Sequence, residues 1–470
     1  MIRSCVAFGA AFAGLCAFAV PAGAHGFGQR YDLPLPLWYY LTGAGAVVAL
    51  TFVIAVLVLR GGSRPGPELR IALPPLFLHV ATLLLRSFGL LAFILVVAAG
   101  LFGEQGDWDS NLLPVSVWVL WWVGFAYVSA LFGNLWPVLD PWRTIGDFFA
   151  RKPRLAWPEH LSAWPSVFLL FVFACAELAW TENAVPFKLA TLVIFYSVLS
   201  WTGMAVFGVE AWRNNADPFA NVFSLFARFA PFDVSGNTLI LRPFGAGLAG
   251  RQPPPVASCA FIILMISTVA FDGVSDTPLW DSLTGAAMQL LYSGGLVQVF
   301  GYAAAGSLVK LAGLAVVPLA FAGVYLAVCR LAGRLSGEAA GITARRYCLT
   351  LIPIAIAYHL AHYLSYLLIQ GQAVIPLLSD PLNLGWNLFG TSGREIDIGV
   401  IDMKFVWLFA VGAIVAGHVA AVILAHLEAL QTHGGALSRR AMIAQIPLLI
   451  FMVAYTMLSL WILSQPIVAG

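Results

Sequence analysis

Charged side chains are scarce in this chain of 470 residues. Asp, Glu, Lys and Arg make up 10% of it, whereas a soluble domain usually carries about 25%. This shortage excludes a water-soluble surface, and with it a soluble enzyme, a disordered chain, a coiled coil and a nucleic-acid binder. Hydrophobic residues make up 61%, and the 16 Trp and 33 Phe are typical of aromatic belts at bilayer interfaces. The composition therefore predicts a polytopic membrane protein.

Cysteine is also scarce, with six residues and no CxxC motif. Two of the six lie in the first 24 residues. The other four are widely spaced and fall in apolar segments, so we expect small buried side chains rather than a disulfide or a zinc site. These four are Cys175, Cys259, Cys329 and Cys348.

Residues 1–24 have the pattern of a secretory signal peptide. Arg3 precedes a short apolar core, and the segment ends in Ala22-Gly23-Ala24, which suits signal peptidase. Cleavage would leave one integral-membrane domain over residues 25–470, with His25 at its N-terminus; an uncleaved first helix is the alternative. A free α-amino group and the imidazole of the same residue chelate copper, so His25 is a candidate metal ligand.

Runs of about 20 apolar residues predict an all-α bundle of transmembrane helices. Ten such spans follow the signal. The link over residues 272–306 is apolar but broken by Gly and Ser, and we expect it to be interfacial or re-entrant. The predicted spans lie near residues 38–59, 77–102, 113–133, 162–180, 187–208, 256–271, 307–329, 347–369, 404–427 and 443–464.

The distribution of Lys and Arg predicts the orientation of these spans. If the mature N-terminus is periplasmic, the inner loops carry 17 of these residues and the outer segments carry 5. Positive residues concentrate on the cytoplasmic side of membrane proteins. We therefore expect a multi-pass protein of the bacterial inner membrane, surrounded by the lipid bilayer, with both mature termini in the periplasm.

Two inner loops resemble each other. One begins with Asp140-Pro141 and the other with Asp217-Pro218, and each continues with Phe residues and an Arg. Asp before Pro is a good helix N-cap, so each loop is predicted to form a short amphipathic helix. The similarity favours either an internal duplication around residues 113–160 and 187–235 or independent use of the same cap.

Three histidines are predicted near the middle of the bilayer. His359 and His362 are three residues apart in the eighth span, and His418 lies at similar depth in the ninth. Ionisable residues inside a span are costly and indicate function. Four interpretations stay open: ligands for a divalent metal such as zinc or copper, ligands for haem b, a proton or substrate relay, and structural bonds between helices.

Arg86 is predicted to lie well inside the second span and therefore needs a partner. Asp272 and Glu177 are the two candidates. Tyr358 and Tyr363 border the histidines, where they would either donate hydrogen bonds to an oxyanion or simply pack. Arg86, Tyr358 and Tyr363 are the candidate catalytic residues.

Several distinctive segments point to a known family. They are residues 25–34, Leu37-Trp38, Phe271-Asp272-Gly273, residues 358–363 (Tyr-His-Leu-Ala-His-Tyr) and residues 459–466. With these segments the chain resembles the bacterial membrane proteins known as fenitrothion hydrolases of the Fed type, along the whole of the mature sequence. The resemblance implies an aryldialkylphosphatase that hydrolyses an aryl dialkyl phosphorothioate to a nitrophenol and a dialkyl thiophosphate. The resemblance assigns no catalytic residues.

The residues are compatible with that chemistry. An apolar triester would concentrate in the bilayer, and a metal held by His359, His362 and His418 would lower the pKa of a bound water and polarise the phosphoryl group. The alternative is a copper or haem carrier, similar in its logic to the copper-resistance membrane proteins of the CopD type. In either case a second subunit is an open alternative.

Overall fold

The computed structural model describes residues 33–59, 66–149, 153–250, 252–432 and 439–465. The predicted signal peptide and His25 lie outside these ranges. Helices make up most of the regular structure. They are α1 Leu37–Val58, α2 Pro75–Phe102, α3 Leu112–Phe132, α4 Trp136–Leu139, α5 Pro141–Phe149, α6 Trp164–Leu178, α7 Pro186–Phe207, α8 Val209–Asn215, α9 Pro218–Ala227, α10 Val256–Ser275, α11 Pro278–Ser293, α12 Leu296–Phe300, α13 Tyr302–Ser336, α14 Ala340–Tyr347, α15 Ile352–Gln370, α16 Val374–Ser379, α17 Met403–Thr432 and α18 Arg439–Ser464.

Within the described ranges, nine helical segments are long and apolar enough to cross a membrane. They are α1, α2, α3, α7, α10, α13, the segment Ala340–Ser379 that contains α14 to α16, α17 and α18. The predicted fourth span, residues 162–180, is the shorter apolar helix α6 of 15 residues. At 1.5 Å per residue α6 is about 22 Å long, which is less than the hydrocarbon thickness. The prediction of an all-α polytopic bundle is confirmed.

The bundle has enclosed and peripheral helices. The span α10 and the segment containing α15 are the most enclosed by protein, whereas α2 lies at the periphery and has no fully buried residue in its most apolar stretch. α15 packs most extensively on α17. The two helices approach closely at Gly417, where an added Cβ would lie 2.3 Å from the Cβ of Ala357. This close approach fixes which faces of α15 and α17 meet.

The apolar link after α10 is helical. α11 begins at Pro278 after the N-cap Thr277, whose hydroxyl accepts a hydrogen bond from the Trp280 amide. The buried indole of Trp280 packs edge-on against Phe271 and leaves no room for a side chain at Gly313. The link therefore folds back against α10 and α13.

A small antiparallel sheet joins two other connections between helices. Its strands are β1 Leu69–Ala72, β2 Phe232–Ser235 and β3 Thr238–Leu241, in the order β1-β3-β2.

The two similar Asp-Pro loops meet in space. Asp140 caps α5 by accepting a hydrogen bond from the Arg143 amide, and Asp217 caps α9 by accepting from the amides of Phe219 and Ala220. Both carboxylates are fully buried, and Arg213 Nε lies 3.1 Å from Asp140 Oδ2. The two predicted N-caps are confirmed. Whether the loops arose by duplication stays a prediction.

Burial shifts the pKa values of the two carboxyl groups where the Asp-Pro loops meet. It raises the pKa of Asp140 to about 6, the neighbouring Asp217 carboxylate adds to the rise, and the Arg213 guanidinium opposes it. The pKa of Asp217 is also raised by burial. One guanidinium thus binds the buried carboxyl group of Asp140 and interacts electrostatically with that of Asp217, and each carboxyl group organises the first turn of a helix.

Replacement of Arg213 by Met should therefore be strongly destabilising. It would leave two carboxyl groups buried without a cation, and removing one partner of a buried pair costs about 3–5 kcal/mol. The matched control is Arg143→Met, because the partners of Arg143, Asp147 and Glu210, are much more exposed. That control should cost about 0–1 kcal/mol. SDS-titration unfolding of the purified protein measures both; equal losses would contradict the role of Arg213.

Candidate functional site

A carboxylate, an imidazole and a phenol meet between α10 and α15. Nε2 of His362 lies 3.1 Å from Oδ2 of Asp272, and the hydroxyl of Tyr363 lies 2.5 Å from the same oxygen. Asp272 is near the C-terminal end of α10. The side chains of Asp272 and His362 are 19% and 15% exposed, so the pair is enclosed without being sealed.

The hydrogen bonds define the protonation of this pair. An ionised carboxylate only accepts, so His362 Nε2 and the Tyr363 hydroxyl both donate to Asp272. While the ring is neutral, Nδ1 of His362 is the nitrogen with the lone pair. A carboxylate that fixes the tautomer of a histidine in this way prepares the other ring nitrogen to take a proton.

Other charged groups surround the pair. Glu177, near the end of α6, and Lys310, on α13, both interact electrostatically with Asp272. Just beyond α10, burial and the Asp272 carboxylate together raise the pKa of Asp276 to about 6. Three carboxyl groups, one lysine and one histidine thus come together where α6, α10, α13 and α15 meet.

His359 lies one turn before His362 in an aromatic environment. Its ring centroid is 4.8 Å from that of Tyr363, and the rings of Trp122, Tyr127 and Phe226 are within 6.3 Å. Nε2 of His359 has no hydrogen-bond partner among the described residues. Aromatic packing and a hydrogen bond to the backbone of Val123 therefore hold this ring.

A small cavity adjoins His359. Met265, Thr268 and Ala355 also line it, and it has room for about one water molecule. The adjacent wall comes from α3, in which residues Val115–Gly124 form a π-helix that presents Trp122 to the cavity. Such π-helical turns often occur at functional sites.

His418 occupies a different environment between α17 and α18. Its Nδ1 lies 2.8 Å from the carbonyl oxygen of Ile414 on the same helix, so Nδ1 carries the proton and donates it. The ring is fully buried, and its nearest aromatic neighbour is Tyr455, at 5.9 Å between centroids.

The predicted metal ligands do not form one group. Nowhere in the described ranges are three His, Cys, Asp or Glu side chains placed to hold a metal ion. His362 pairs with Asp272, His359 packs among aromatic rings, and His418 contacts a backbone carbonyl. His25 lies outside the described residues. The metal and haem sites stay predictions without support from this arrangement.

The predicted partners of Arg86 were wrong. Arg86 Nη1 lies 2.8 Å from Oδ2 of Asp147 on the short helix α5, so neither Asp272 nor Glu177 is its partner. This follows from the contacts of α2 with α4 and α5, including the close approach of Gly89 to the Leu139 carbonyl. A catalytic role for Arg86 beside the histidines has no geometric support.

The two candidate tyrosines differ in their contacts. Tyr363 donates directly to Asp272. Tyr358 stacks on His362 with 5.9 Å between ring centroids, but its hydroxyl is buried without a hydrogen-bond partner in the described part of the chain. Tyr363 is therefore a positioning residue of the pair, whereas Tyr358 lies nearby without a hydrogen bond to the carboxylate.

Two groupings were not foreseen from the sequence. Asp272 was considered as the partner of Arg86 rather than of His362. Its position at the end of a span was the only sign in the sequence that it would have a buried partner.

Three cysteines from separate segments also come together near Tyr325, and the structure has them as free thiols. Cys259 donates to the Ala344 carbonyl at 3.5 Å, which fits the prediction of buried, unpaired cysteines. The other two are Cys329 and Cys348.

Comparison with known proteins returns no relative. No protein-family model matches the chain, and no curated protein or solved structure matches it. The resemblance to fenitrothion hydrolases thus rests on the sequence segments alone and stays a prediction.

The difference in access between the histidines is testable. Diethyl pyrocarbonate should modify His362 well before His359 or His418, because only His362 is partly exposed. His79, on the outward face of α2, serves as the lipid-facing reference. Peptide mass spectrometry of the modified protein in detergent would give the order. Modification of His418 as fast as His362 would contradict the described packing.

Proposed function

We propose that this protein is a membrane enzyme that hydrolyses apolar organophosphorus triesters, with His362 as the general base. The observation that carries the proposal is the hydrogen bond between Asp272 Oδ2 and His362 Nε2. It leaves Nδ1 as the proton-accepting atom of a ring that is held in one orientation. The resemblance to fenitrothion hydrolases supplies the substrate class.

The reaction needs a water molecule to lose a proton as it attacks phosphorus. His362 Nδ1 takes that proton, the water oxygen forms a bond to phosphorus, and the bond from phosphorus to the aryl oxygen breaks. The electron pair leaves with the nitrophenolate, which is a stable anion and needs little protonation. The imidazolium forms next to the Asp272 carboxylate, which stabilises it, and later returns its proton to water.

The neighbouring residues support this role. The Tyr363 hydroxyl donates to the carboxylate oxygen that His362 also contacts, and so fixes the position of Asp272. Lys310 adds a positive charge close to the carboxyl groups. The proposal routes no step through zinc or copper, because the described residues place no third ligand beside His362.

The membrane setting suits the substrate. The multi-pass helices place the protein in the bilayer, into which an uncharged triester partitions from water. Residual exposure of Asp272 and His362 provides for entry of the attacking water. From the predicted distribution of Lys and Arg, we place the protein in the bacterial inner membrane, with this site in the periplasmic half.

The test measures nitrophenol release from fenitrothion by membranes that contain matched amounts of each variant. His362→Gln and Asp272→Asn should each lower kcat/KM by about 10²–10⁴-fold, the usual contribution of a general base. His79→Gln, a histidine change on the lipid-facing helix α2, should leave the rate unchanged. No release by the wild type above empty membranes would contradict a single-chain hydrolase, and full activity of His362→Gln would exclude its role as base.

A copper or haem carrier is the second candidate. It is favoured by the buried Nε2 atoms of His359, His418 and His426, which lack hydrogen-bond partners in the described ranges and are the atom type that binds copper or haem iron. Glu428 and Asp276 would border such a route at its two ends.

Metal analysis and a visible spectrum of the purified protein test this candidate. A carrier should retain copper, or show a haem Soret band, in a stoichiometric amount that His418→Gln lowers and His79→Gln does not. Absence of both copper and haem after expression with added copper and haem precursor would reject it.

A further inference from the structure

Polar side chains form a line between α15, α17 and α18, deeper in the bundle than the Asp272–His362 pair. We call Tyr358, Tyr455, His418, His426 and Gln445 the polar file. All five are buried. The hydroxyls of the two tyrosines and the Nε2 atoms of the two histidines lack hydrogen-bond partners in the described part of the chain.

The outer end of the polar file is Tyr358. Its hydroxyl packs against Gly273, where an added Cβ would lie 2.2 Å from the hydroxyl oxygen. Gly273 follows Asp272, and the Tyr358 hydroxyl lies within electrostatic reach of both Asp272 and Tyr455. The file thus begins next to the carboxylate that holds His362.

The centre of the file is the pair Tyr455 and His418. Because His418 Nδ1 donates to the Ile414 carbonyl, Nε2 holds a lone pair and requires a donor. The Tyr455 ring lies 5.9 Å from the His418 ring, and its hydroxyl is equally unpaired. A buried acceptor and a buried donor therefore lie close together without a direct bond.

The inner end repeats the same arrangement. His426 Nδ1 lies 3.0 Å from the side-chain oxygen of Gln445, whose amide nitrogen donates to the Ala441 carbonyl at 3.3 Å. His426 Nε2 is again a lone-pair nitrogen without a donor. Two residues further along α17, Glu428 lies 3.9 Å from Arg346, which also binds Glu338.

A small cavity borders the part of α17 between the two histidines, which are eight residues apart, or about 12 Å along the helix axis. Val422, Met452 and Gln445 are among the residues that line the cavity, which has room for about one water molecule. Its lining is apolar except for Gln445, which bonds to His426. The cavity therefore reaches the file at Gln445.

Unpaired polar atoms inside a membrane protein are expensive. Each loses its hydrogen bonds to water on burial, so such atoms are normally paired or bonded to ordered water. Four of them along one seam have the chemistry that internal water satisfies. Apolar side chains of the same size would pack this seam without that cost.

We propose that the polar file holds ordered water and conducts protons between the Asp272–His362 pair and the Glu428 end of the bundle. Protons pass along hydrogen bonds between water and the tyrosine hydroxyls, and no electron is transferred. His418 and His426 each accept a proton on Nε2 and release it from Nε2, because Nδ1 of each ring stays bonded to an oxygen. The inference is independent of the proposed hydrolysis.

Proton flux into liposomes tests the polar file directly. The full-length protein is reconstituted with pyranine inside, and a potassium gradient with valinomycin sets the membrane potential. Wild-type protein should acidify the lumen faster than protein-free liposomes. Tyr455→Phe and His418→Leu should reduce the rate to that of protein-free liposomes. His79→Leu, which removes a transmembrane histidine outside the file, should conduct as the wild type does.

Tyr455→Phe makes this test robust, because it removes one oxygen atom and leaves the packing volume unchanged. Water-edited solid-state NMR on histidine-labelled protein in bilayers gives an independent readout. Water magnetisation should reach the buried rings of His418 and His426. A wild-type flux equal to that of empty liposomes, a wild-type flux retained by Tyr455→Phe, or no transfer from water to these rings would each overturn the proposal.

Discussion

The structure depends on one constraint: a polar group inside the bilayer must find its partner within the protein, because lipid offers none. At the junction of the two Asp-Pro loops, Arg213 binds Asp140 while Asp140 caps a helix. Toward the other side of the bundle, Asp272 accepts from two donors on α15. These contacts join helices that are distant in sequence, so the same hydrogen bonds that stabilise buried charge also fix the arrangement of the helices.

Features that depend only on residues close together in the sequence could be predicted from the sequence. Apolar runs gave the spans, since a helix must cover about 30 Å of hydrocarbon whatever its neighbours are. The Asp140-Pro141 and Asp217-Pro218 pairs predicted helix starts, since an N-cap bonds to amides two or three residues ahead. α6 was predicted four residues too long because apolar composition does not show where a helix ends.

Features that depend on how each helix is rotated about its own axis, and so on which face it turns toward its neighbours, could not be predicted. His359 and His362 were expected to share one helix face as ligands of the same metal, but three residues turn a helix by about 300° and leave about 60° between the side chains. That angle is enough to direct His362 to Asp272 and His359 to Trp122. The rotation is set by close approaches such as Gly417 against Ala357, which pattern alone does not reveal. The same reasoning applies to Arg86. Its position well inside the second span could be predicted, but its partner on the neighbouring helix, Asp147, could not.

The bundle separates two kinds of buried polar group. Asp272 has donors in both His362 and Tyr363, and this pairing suits an ionised carboxylate. In His418 and His426 Nδ1 is bonded to an oxygen and Nε2 has no donor, so Nε2 of each neutral ring keeps an available lone pair. A purely structural role would favour full pairing in both places, since an unpaired buried acceptor lowers stability. Retention of unpaired acceptors along one seam therefore points to a mobile occupant, and the smallest that bonds to both nitrogen and hydroxyl oxygen is water.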